Sequence, residues 1–185
     1  MAAFPSSIGI VSLDMRIKHA VSISESPFSF KQKSHDFGGA RWEAEVTTQP
    51  LTHSQAREME AFIFSLNGMA GTFTFGNPLD NVAGTHSIAP TGAGEGHVSF
   101  ASLTALPAGT RFAIGNNLHI TTEDYDGSGI GNTNVAPPLR TTTSVITNIV
   151  TAKPKGLWRM ASNDMGFSVT RAGIYGFSFA CIEAL

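Results

Sequence analysis

The residues with the clearest potential for chemistry are two glutamates in one strand-like segment. Glu43 and Glu45 stand two positions apart in RWEAEVT, where polar and apolar residues alternate. Alternate side chains of a strand share a face and are about 7 Å apart, a separation at which paired carboxylates can cleave glycosides. Trp42, Ala44 and Val46 occupy the other face. The alternation therefore indicates more simply that both glutamates belong to a solvated face.

Two other segments begin like ligand-binding loops but lack the context that such loops need. Residues 124–129, DYDGSG, follow the start of a calcium loop, but position twelve is Val135 and cannot supply a bidentate carboxylate. Glycines alternate at 92–96 and at 127–131, and no predicted helix follows to hold a pyrophosphate at its N-terminus. We expect turns and loops here, with no calcium or nucleotide site.

Histidine, serine and cysteine show no catalytic or metal-binding pattern. The histidines are His19, His35, His53, His86, His97 and His119, and no two of them have the spacing of a helical metal motif. No GxSxG nucleophile elbow is present. The single cysteine, Cys181, excludes an intramolecular disulfide and alternates with aromatics, which predicts a small buried side chain. We predict no catalytic, cofactor-binding or metal-binding residues, no cofactor, and no enzyme activity.

Composition argues against several classes of function. The 185 residues carry a net charge of −2 without a cluster of Lys or Arg, which argues against sequence-specific binding of nucleic acid. No stretch approaches the roughly 18 apolar residues of a membrane-spanning helix, and the first residues lack the pattern of a secretory signal. We expect folding in the cytosol and no membrane insertion by this chain. The 19 Gly and 13 Phe favour a β-rich protein.

The elements that position these residues are organised around the segment 41–75, which predicts strand, helix and strand. Thr52 is a good N-cap and Gln55 completes a capping box, so we predict a helix over 53–66. An Asn-Gly pair then ends it, because Gly tolerates the left-handed turn of a C-cap. The apolar stripe of this helix, spaced three and four apart, is Ala56, Met59, Phe62, Ile63 and Leu66. Phe64 lies on the opposite face, either simply exposed or contacting another subunit.

Alternating residues predict strands in much of the remaining chain. The segment 8–23 predicts a half-buried strand, 28–33 a further short strand, and Gly38-Gly39 a turn between strands. The last segment alternates cleanly, with Tyr175, Phe177, Phe179 and Cys181 on one face. This pattern predicts a strand near the centre of a sheet, paired with elements of the N-terminal part.

The region 77–152 has a different character, since charge falls and Gly, Thr, Asn, Ser and Pro rise. Short strands are predicted at 97–103, 111–114, 117–122 and 132–135, with a longer strand at 142–150. So many short strands in about 70 residues favour a small β-barrel or a folded-over sheet. We predict a mainly β protein with one flanking helix. The segments 1–76 and 153–185 form an antiparallel β-sandwich, and 77–152 is an inserted small β-barrel-like domain.

Three blocks of sequence together resemble a known family. They are RWEAEVTTQPLTHSQAREMEAFIFSLNGMAGTFTFGNP, the middle segments LPAGTRFAIGNNLHI and DGSGIGNTNVAPPLR, and the closing KPKGLWRMASNDMGFSVTRAGIYGFSFACIEAL. The chain resembles the distal tail proteins of long-tailed bacteriophages, which cap the tail tube and begin the tail tip or baseplate. The resemblance extends over most of the chain, and none of its motifs is catalytic.

The resemblance implies a tail-tube-like β-sandwich whose copies assemble into a ring, usually a hexamer, around the DNA channel. The implied partners are other copies of the chain, the tail tube protein, and the hub or tip proteins of the tail. The implied location is the tail tip of the virion, assembled in the host cytoplasm. The inserted domain is short and lacks an evident carbohydrate-binding module, and its implied position is on the outside of the ring.

Three other functions compete with this one. The chain could be another minor tail or tail-terminator protein, which a ring at the head-proximal end of the tail would indicate. It could be a carbohydrate-binding tail module, whose binding would be lost on deletion of 77–152. It could also be a cell-wall hydrolase that uses Glu43 and Glu45 or a group of histidines, and Glu43→Gln would then abolish its activity.

Overall fold

The computed structural model describes residues 2–164, 166–169 and 173–185. Roughly half of the chain lies in strands and 7% in a helix, which confirms the predicted mainly β fold with one helix. The abundance of Phe, Val and Thr favours this class, because aromatic and β-branched side chains fit a pleated, half-buried surface. Positions 165 and 170–172, which belong to the predicted segment 153–185, lie outside the described residues.

Two sheets account for the strands of the described residues. In chain order the strands are β1 (Ala2–Ala3), β2 (Ile10–Glu25), β3 (Gln32–Thr48), β4 (Phe73–Phe75), β5 (His86–Ile88), β6 (His97–Ser102), β7 (Arg111–Ile114), β8 (Asn117–Thr121), β9 (Gly129–Ala136), β10 (Thr147–Ile149), β11 (Gly156–Met160), β12 (Phe167–Val169) and β13 (Tyr175–Glu183). The helix α1 (His53–Ser65) follows β3.

The first sheet combines strands from both ends of the chain. Its order is β1-β4-β11-β13-β3-β2, with β12 also paired to β13. Neighbours are antiparallel except for β1 and β4, which are parallel. Strand β13 lies between β11 and β3, so the predicted central position of this strand and its pairing with the N-terminal part are both confirmed.

The second sheet is formed entirely by strands between residues 86 and 149. Its order is β10-β5-β6-β9-β8-β7. Ala113 in β7 also exchanges backbone hydrogen bonds with Val150, immediately after β10, at 2.8 and 3.0 Å. The last strand is thereby joined to the first, so the sheet closes as a small barrel. Closure pairs strand edges that would otherwise be open to other chains.

Each sheet has its own hydrophobic core. The core of the first sheet includes Trp42, Phe73, Trp158 and Phe179, and helix α1 packs against it. The core of the barrel includes the fully buried Phe100, Phe112 and Leu106, among others. The predicted helical stripe is confirmed, because its five members are all buried: Ala56, Met59, Phe62, Ile63 and Leu66.

Local sequence signals set both ends of helix α1. The Thr52 hydroxyl accepts from the Gln55 backbone amide, and the Gln55 side chain accepts from the Thr52 amide at 3.1 Å, which confirms the capping box. The helix ends at Ser65, one residue before the predicted end, with Leu66 as the C-cap. Asn67 and Gly68 then have φ values of 50° and 65°, as the Asn-Gly stop requires.

We expect Thr52→Ala to lower the free energy of unfolding by about 1 kcal/mol, because the substitution leaves an amide of the first helical turn without its acceptor. Thr52→Ser keeps the hydroxyl and serves as the matched control, with a loss well below that of alanine. Urea denaturation of the three proteins measures the difference. Equal losses in both variants would contradict a capping role for this hydroxyl.

Several strand predictions were wrong in the N-terminal hairpin. Strand β2 follows the predicted segment 8–23, but its residues from Lys18 onward are exposed on both faces rather than half-buried. Pro27 to Ser29 form a turn, Phe30 and Lys31 belong to no strand, and β3 begins only at Gln32. Gly38-Gly39 is a bulge inside β3 rather than a turn, with φ of 71° at Gly38. The two glycines allow the pairing with β2 to shift there without ending the strand.

Predictions in the barrel were wrong at three places. The long strand predicted at 142–150 is a strand only at Thr147–Ile149, and β5 at His86–Ile88 was missed. Gly129 and Gly131 lie in strand β9 rather than in a loop. A Cβ on Gly131 would approach the Tyr125 ring to 3.0 Å, so a close contact explains this glycine.

Candidate functional site

A long hairpin formed by the outer parts of β2 and β3 is exposed to solvent on both faces. Pairing of the two strands continues from Ile10 opposite Thr48 to Glu25 opposite Gln32. Residues 18–25 and 31–39 are all exposed, and neither hydrophobic core includes them. We call residues 18–39 the hairpin arm. An isolated two-stranded ribbon is at best marginally stable in water, so the arm is suited to lie against another surface.

The tip of the arm presents two phenylalanines to solvent. The Phe30 amide donates to the Ser26 carbonyl at 2.9 Å, and the Ser26 amide donates to the Lys31 carbonyl at 3.0 Å. Phe30 has a φ of 53°, and the resulting turn holds Phe28 96% exposed and Phe30 73% exposed. The neighbouring Lys31 and Lys33 have no ion pair among the described residues.

Further apolar side chains continue along the arm below the tip. Val21, Ile23 and Phe37 are all exposed, and the Phe37 ring contacts only its neighbour His35 among the described aromatic pairs. The strand register places Val21 and Ile23 on one face of the arm and Phe37, beside His35, on the other, so both faces expose apolar side chains. Several exposed apolar side chains on one element are typical of an interaction site, whereas a single one is common on any surface. The arm is therefore a candidate binding surface, and the sequence pattern alone did not reveal it.

The predicted pair of glutamates lies on the outer face of the first sheet among basic side chains. Glu43 contacts Arg41 at 2.9 Å, Arg16 at 3.3 Å and Lys18 at 3.7 Å, and its side chain is only 12% exposed. Glu45 contacts Arg16 at 3.6 Å. The hydrogen bond from Arg41 lowers the pKa of Glu43, and Arg16 and Lys18 act in the same direction against burial. A glycosidase acid needs a raised pKa, so Glu43 is not suited to that role.

The depressed pKa of Glu43 predicts an acid-dependent loss of stability. The folded pKa lies below the ordinary value of 4.5, so the ion pairs stabilise the fold above pH 4.5 and are lost as the pH falls through the folded value. We expect the stability of the wild type to exceed that of Glu43→Gln at pH 7, with the difference shrinking below pH 4.5. Urea denaturation at a series of pH values measures it, and a difference independent of pH would contradict the assignment.

The three histidines of the barrel lie in different surroundings. His86 and His119 are buried, and His97 is exposed beside Glu95 at 3.7 Å. His119 Nδ1 lies 2.9 Å from the Pro137 carbonyl, and burial lowers the pKa of this histidine. Among the described residues, no group of three His, Cys, Asp or Glu side chains has the arrangement of a metal site.

The segment 124–129 is an irregular connection that enters β9 at Gly129, and both of its aspartates accept hydrogen bonds from backbone amides. Asp124 accepts from the Ala108 amide at 2.7 Å, and Asp126 accepts from the Ser128 amide at 2.9 Å. The hydrogen bonds from Ser128 lower the pKa of Asp126. These contacts hold the connection together, as is typical of Asp-Gly segments. Cys181 is buried as predicted, and burial raises the pKa of its thiol to about 12.

A partly buried ion pair joins the two sheets. Glu183 at the end of β13 accepts from Arg140 Nη2 and from the Trp42 backbone amide, each at 2.9 Å. Arg140 Nη2 also donates to the Ala40 carbonyl. The Trp42 indole donates to the Leu118 carbonyl of the barrel at 2.8 Å. These contacts link the barrel to β3 and β13, directly below the hairpin arm.

A second set of contacts strengthens the same junction. The Arg111 guanidinium of the barrel lies 5.8 Å from the centre of the Trp42 ring and contacts Asp80 at 3.2 Å. A cation over an indole face is attracted by the ring electrons. Hydrogen bonds and charge therefore hold the barrel against the first sheet. Ala40 and Trp42, which follow the hairpin arm in β3, are part of this junction.

The ion pair at the junction was not predicted, although one half of it had a signal in the sequence. Glu183 continues the alternation of Phe177, Phe179 and Cys181 and thus falls on the buried face of β13. A carboxylate at a core position needs a buried cationic partner. The partner, Arg140, lies 43 positions away in a loop, so the sequence offered no means to identify it.

Comparison with models of known protein families finds no match for this chain, and a search of curated proteins finds none either. Among the described residues, no helix has both the length and the apolar character needed to cross a membrane.

Proposed function

We propose that this chain is a structural protein of a bacteriophage virion that forms a ring at the distal end of the tail. In this role it connects the tail tube to the hub or tip proteins and surrounds the channel through which DNA passes. The observation that carries the proposal is the hairpin arm, a long ribbon with exposed aromatic residues that belongs to neither core.

The arm fits an assembly role for a physical reason. Its tip exposes Phe28 and Phe30, and these side chains gain free energy when a partner removes them from water. An arm that binds a different surface of the next copy forms a head-to-tail contact, and such contacts generate closed rings when the rotation closes. The proposed assembly is a closed ring, and six is the number of copies that the resemblance to distal tail proteins implies.

The two sheets have separate roles in the proposal. The first sheet and helix α1 form the ring and stack on the tail tube protein. The barrel, held at the junction by Arg140 and Glu183, projects outward toward fibres or neighbouring tip proteins. DNA passes through without sequence-specific contacts, because a chain with a net charge of −2 has no excess of basic side chains to bind phosphates.

Mass photometry and negative-stain electron microscopy of the purified protein, alone and with the cognate tail tube protein, test the proposal. We expect rings of about six copies, the number that the resemblance to distal tail proteins implies, and density at one end of the tubes. Labelling of the protein on intact virions is expected at the tip. A protein that stays monomeric and never associates with tube ends would contradict the proposal, and a ring at the head-proximal end would indicate a terminator instead.

A further inference from the structure

We propose that the tip of the hairpin arm of one copy docks on a groove between helix α1 and β12 of a second copy. The inference rests on the proposed ring and names the two surfaces that meet in it. We call the second surface the α1–β12 groove. Its lining residues are Glu60, Ile63, Phe64, Gly166, Phe167 and Phe177.

The α1–β12 groove offers an aromatic surface to a partner. Phe64 on helix α1 is 72% exposed, and Phe167 on β12 is also exposed. The Phe167 ring stacks on Phe177 with centroids 5.4 Å apart, so its orientation is already held. The space within the groove is only about 30 Å³, so a phenylalanine ring lies across these rings rather than inside a pocket. The Phe28 and Phe30 rings of the tip are suited to such stacking.

Charge favours the same pairing. Glu60 at the rim of the α1–β12 groove is half-buried and has no ion pair among the described residues. The tip carries Lys31 and Lys33 beside its phenylalanines, and they too have no ion pair in the described part of the chain. Opposite charges on two docking surfaces guide their association and fix the orientation.

Two other grooves of the first sheet present basic side chains to the tip. The groove at the base of the arm is lined by Lys18, Arg41 and Arg140. The groove between the N-terminal segment and β4 is lined by Lys153 and Lys155. Like charges across an interface oppose binding, so these surfaces disfavour a tip that carries two lysines.

The occupant of the α1–β12 groove is a second copy rather than the arm of the same chain. Within one chain both surfaces are exposed, so the arm does not cover its own groove. The eight residues from Lys18 to Glu25 span about 25 Å at the rise of a strand. The radius of gyration of a 185-residue domain is about 16 Å. An arm of this length therefore reaches well across the boundary with a neighbouring copy.

A charge exchange tests the pairing directly. One variant carries Lys31→Glu with Lys33→Glu, a second carries Glu60→Lys, and a third combines all three changes. We expect each of the first two to weaken self-association at least tenfold in analytical ultracentrifugation, because like charges then face each other. We expect the combined variant to recover the wild-type value to within about threefold, because the opposite charges are restored. If the combined variant associates no more tightly than whichever of the other two variants associates less tightly, the pairing is wrong.

Disulfide trapping provides a second, independent test. Ser29→Cys at the tip and Ala61→Cys on helix α1 are expected to form an intermolecular disulfide under mild oxidation. Ser29→Cys with Ser54→Cys is the matched control, because Ser54 is exposed on the same helix about 10 Å away along its axis. The native Cys181 is buried with a pKa raised to about 12 and does not compete. Equal trapping at positions 61 and 54 would overturn the assignment of the groove.

The two tests separate this inference from the proposed function. Rings that form normally in all three charge variants, without trapping at position 61, would refute the pairing and leave the ring intact. A wild-type protein that remains monomeric at every concentration would refute the ring itself, and the pairing with it.

Discussion

Replacing Glu183 with alanine is expected to lower the free energy of unfolding by about 3 kcal/mol, the lower end of the cost of breaking a buried ion pair from one side, because Arg140 is only partly buried. The substitution leaves Arg140 with no carboxylate partner and the Trp42 amide without its acceptor. A partly buried cation and a buried amide then both lose a hydrogen-bond partner. Chemical denaturation followed by tryptophan fluorescence measures the loss, since Trp42 lies at the junction.

Two further variants identify the cause of this loss. Glu183→Gln keeps an oxygen that can accept from the Trp42 amide but removes the charge, and we expect it to lose less than alanine. Replacing Glu183 and Arg140 together with methionine removes both charges, so we expect the double variant to be more stable than Glu183→Ala. If the double variant loses as much stability as Glu183→Met and Arg140→Met added together, the two side chains are not coupled.

Replacing Phe28 and Phe30 together with serine is expected to weaken self-association by about 100-fold or more, the effect of losing two central aromatic anchors. Both side chains are exposed in the single chain, so their replacement removes no contact of either core. The free energy of unfolding of the isolated chain is therefore expected to change by less than about 0.5 kcal/mol. Mass photometry over a dilution series measures the association, and urea denaturation measures the stability.

The matched control for this prediction is Leu103→Ser in the barrel. Leu103 is 86% exposed, comparable to the two phenylalanines, but lies outside the hairpin arm. We expect its replacement to leave self-association unchanged. If Leu103→Ser weakened association as much as the double variant at the tip, general surface hydrophobicity rather than the arm would drive assembly.

Local sequence signals determined the helix, the central strand and the fold class. The Thr52–Gln55 capping box and the stripe from Ala56 to Leu66 predicted helix α1 to within one residue, because both depend on neighbours within one or two turns. The alternation of β13 predicted its buried face in the same way. These features concern residues close in sequence, where propensity and periodicity carry the information.

Only the tertiary structure decided which alternating segments are buried. Residues 18–23 show the same alternation as residues 10–17. They nevertheless lie beyond the part of β3 that pairs with β13, and they remain exposed as part of the hairpin arm. Alternation shows that a segment can bury one face, but burial requires a second layer, and its presence depends on where the other strands end. The Arg140–Glu183 pair depends on the same long-range geometry, because its members meet only after the barrel and the first sheet have folded together.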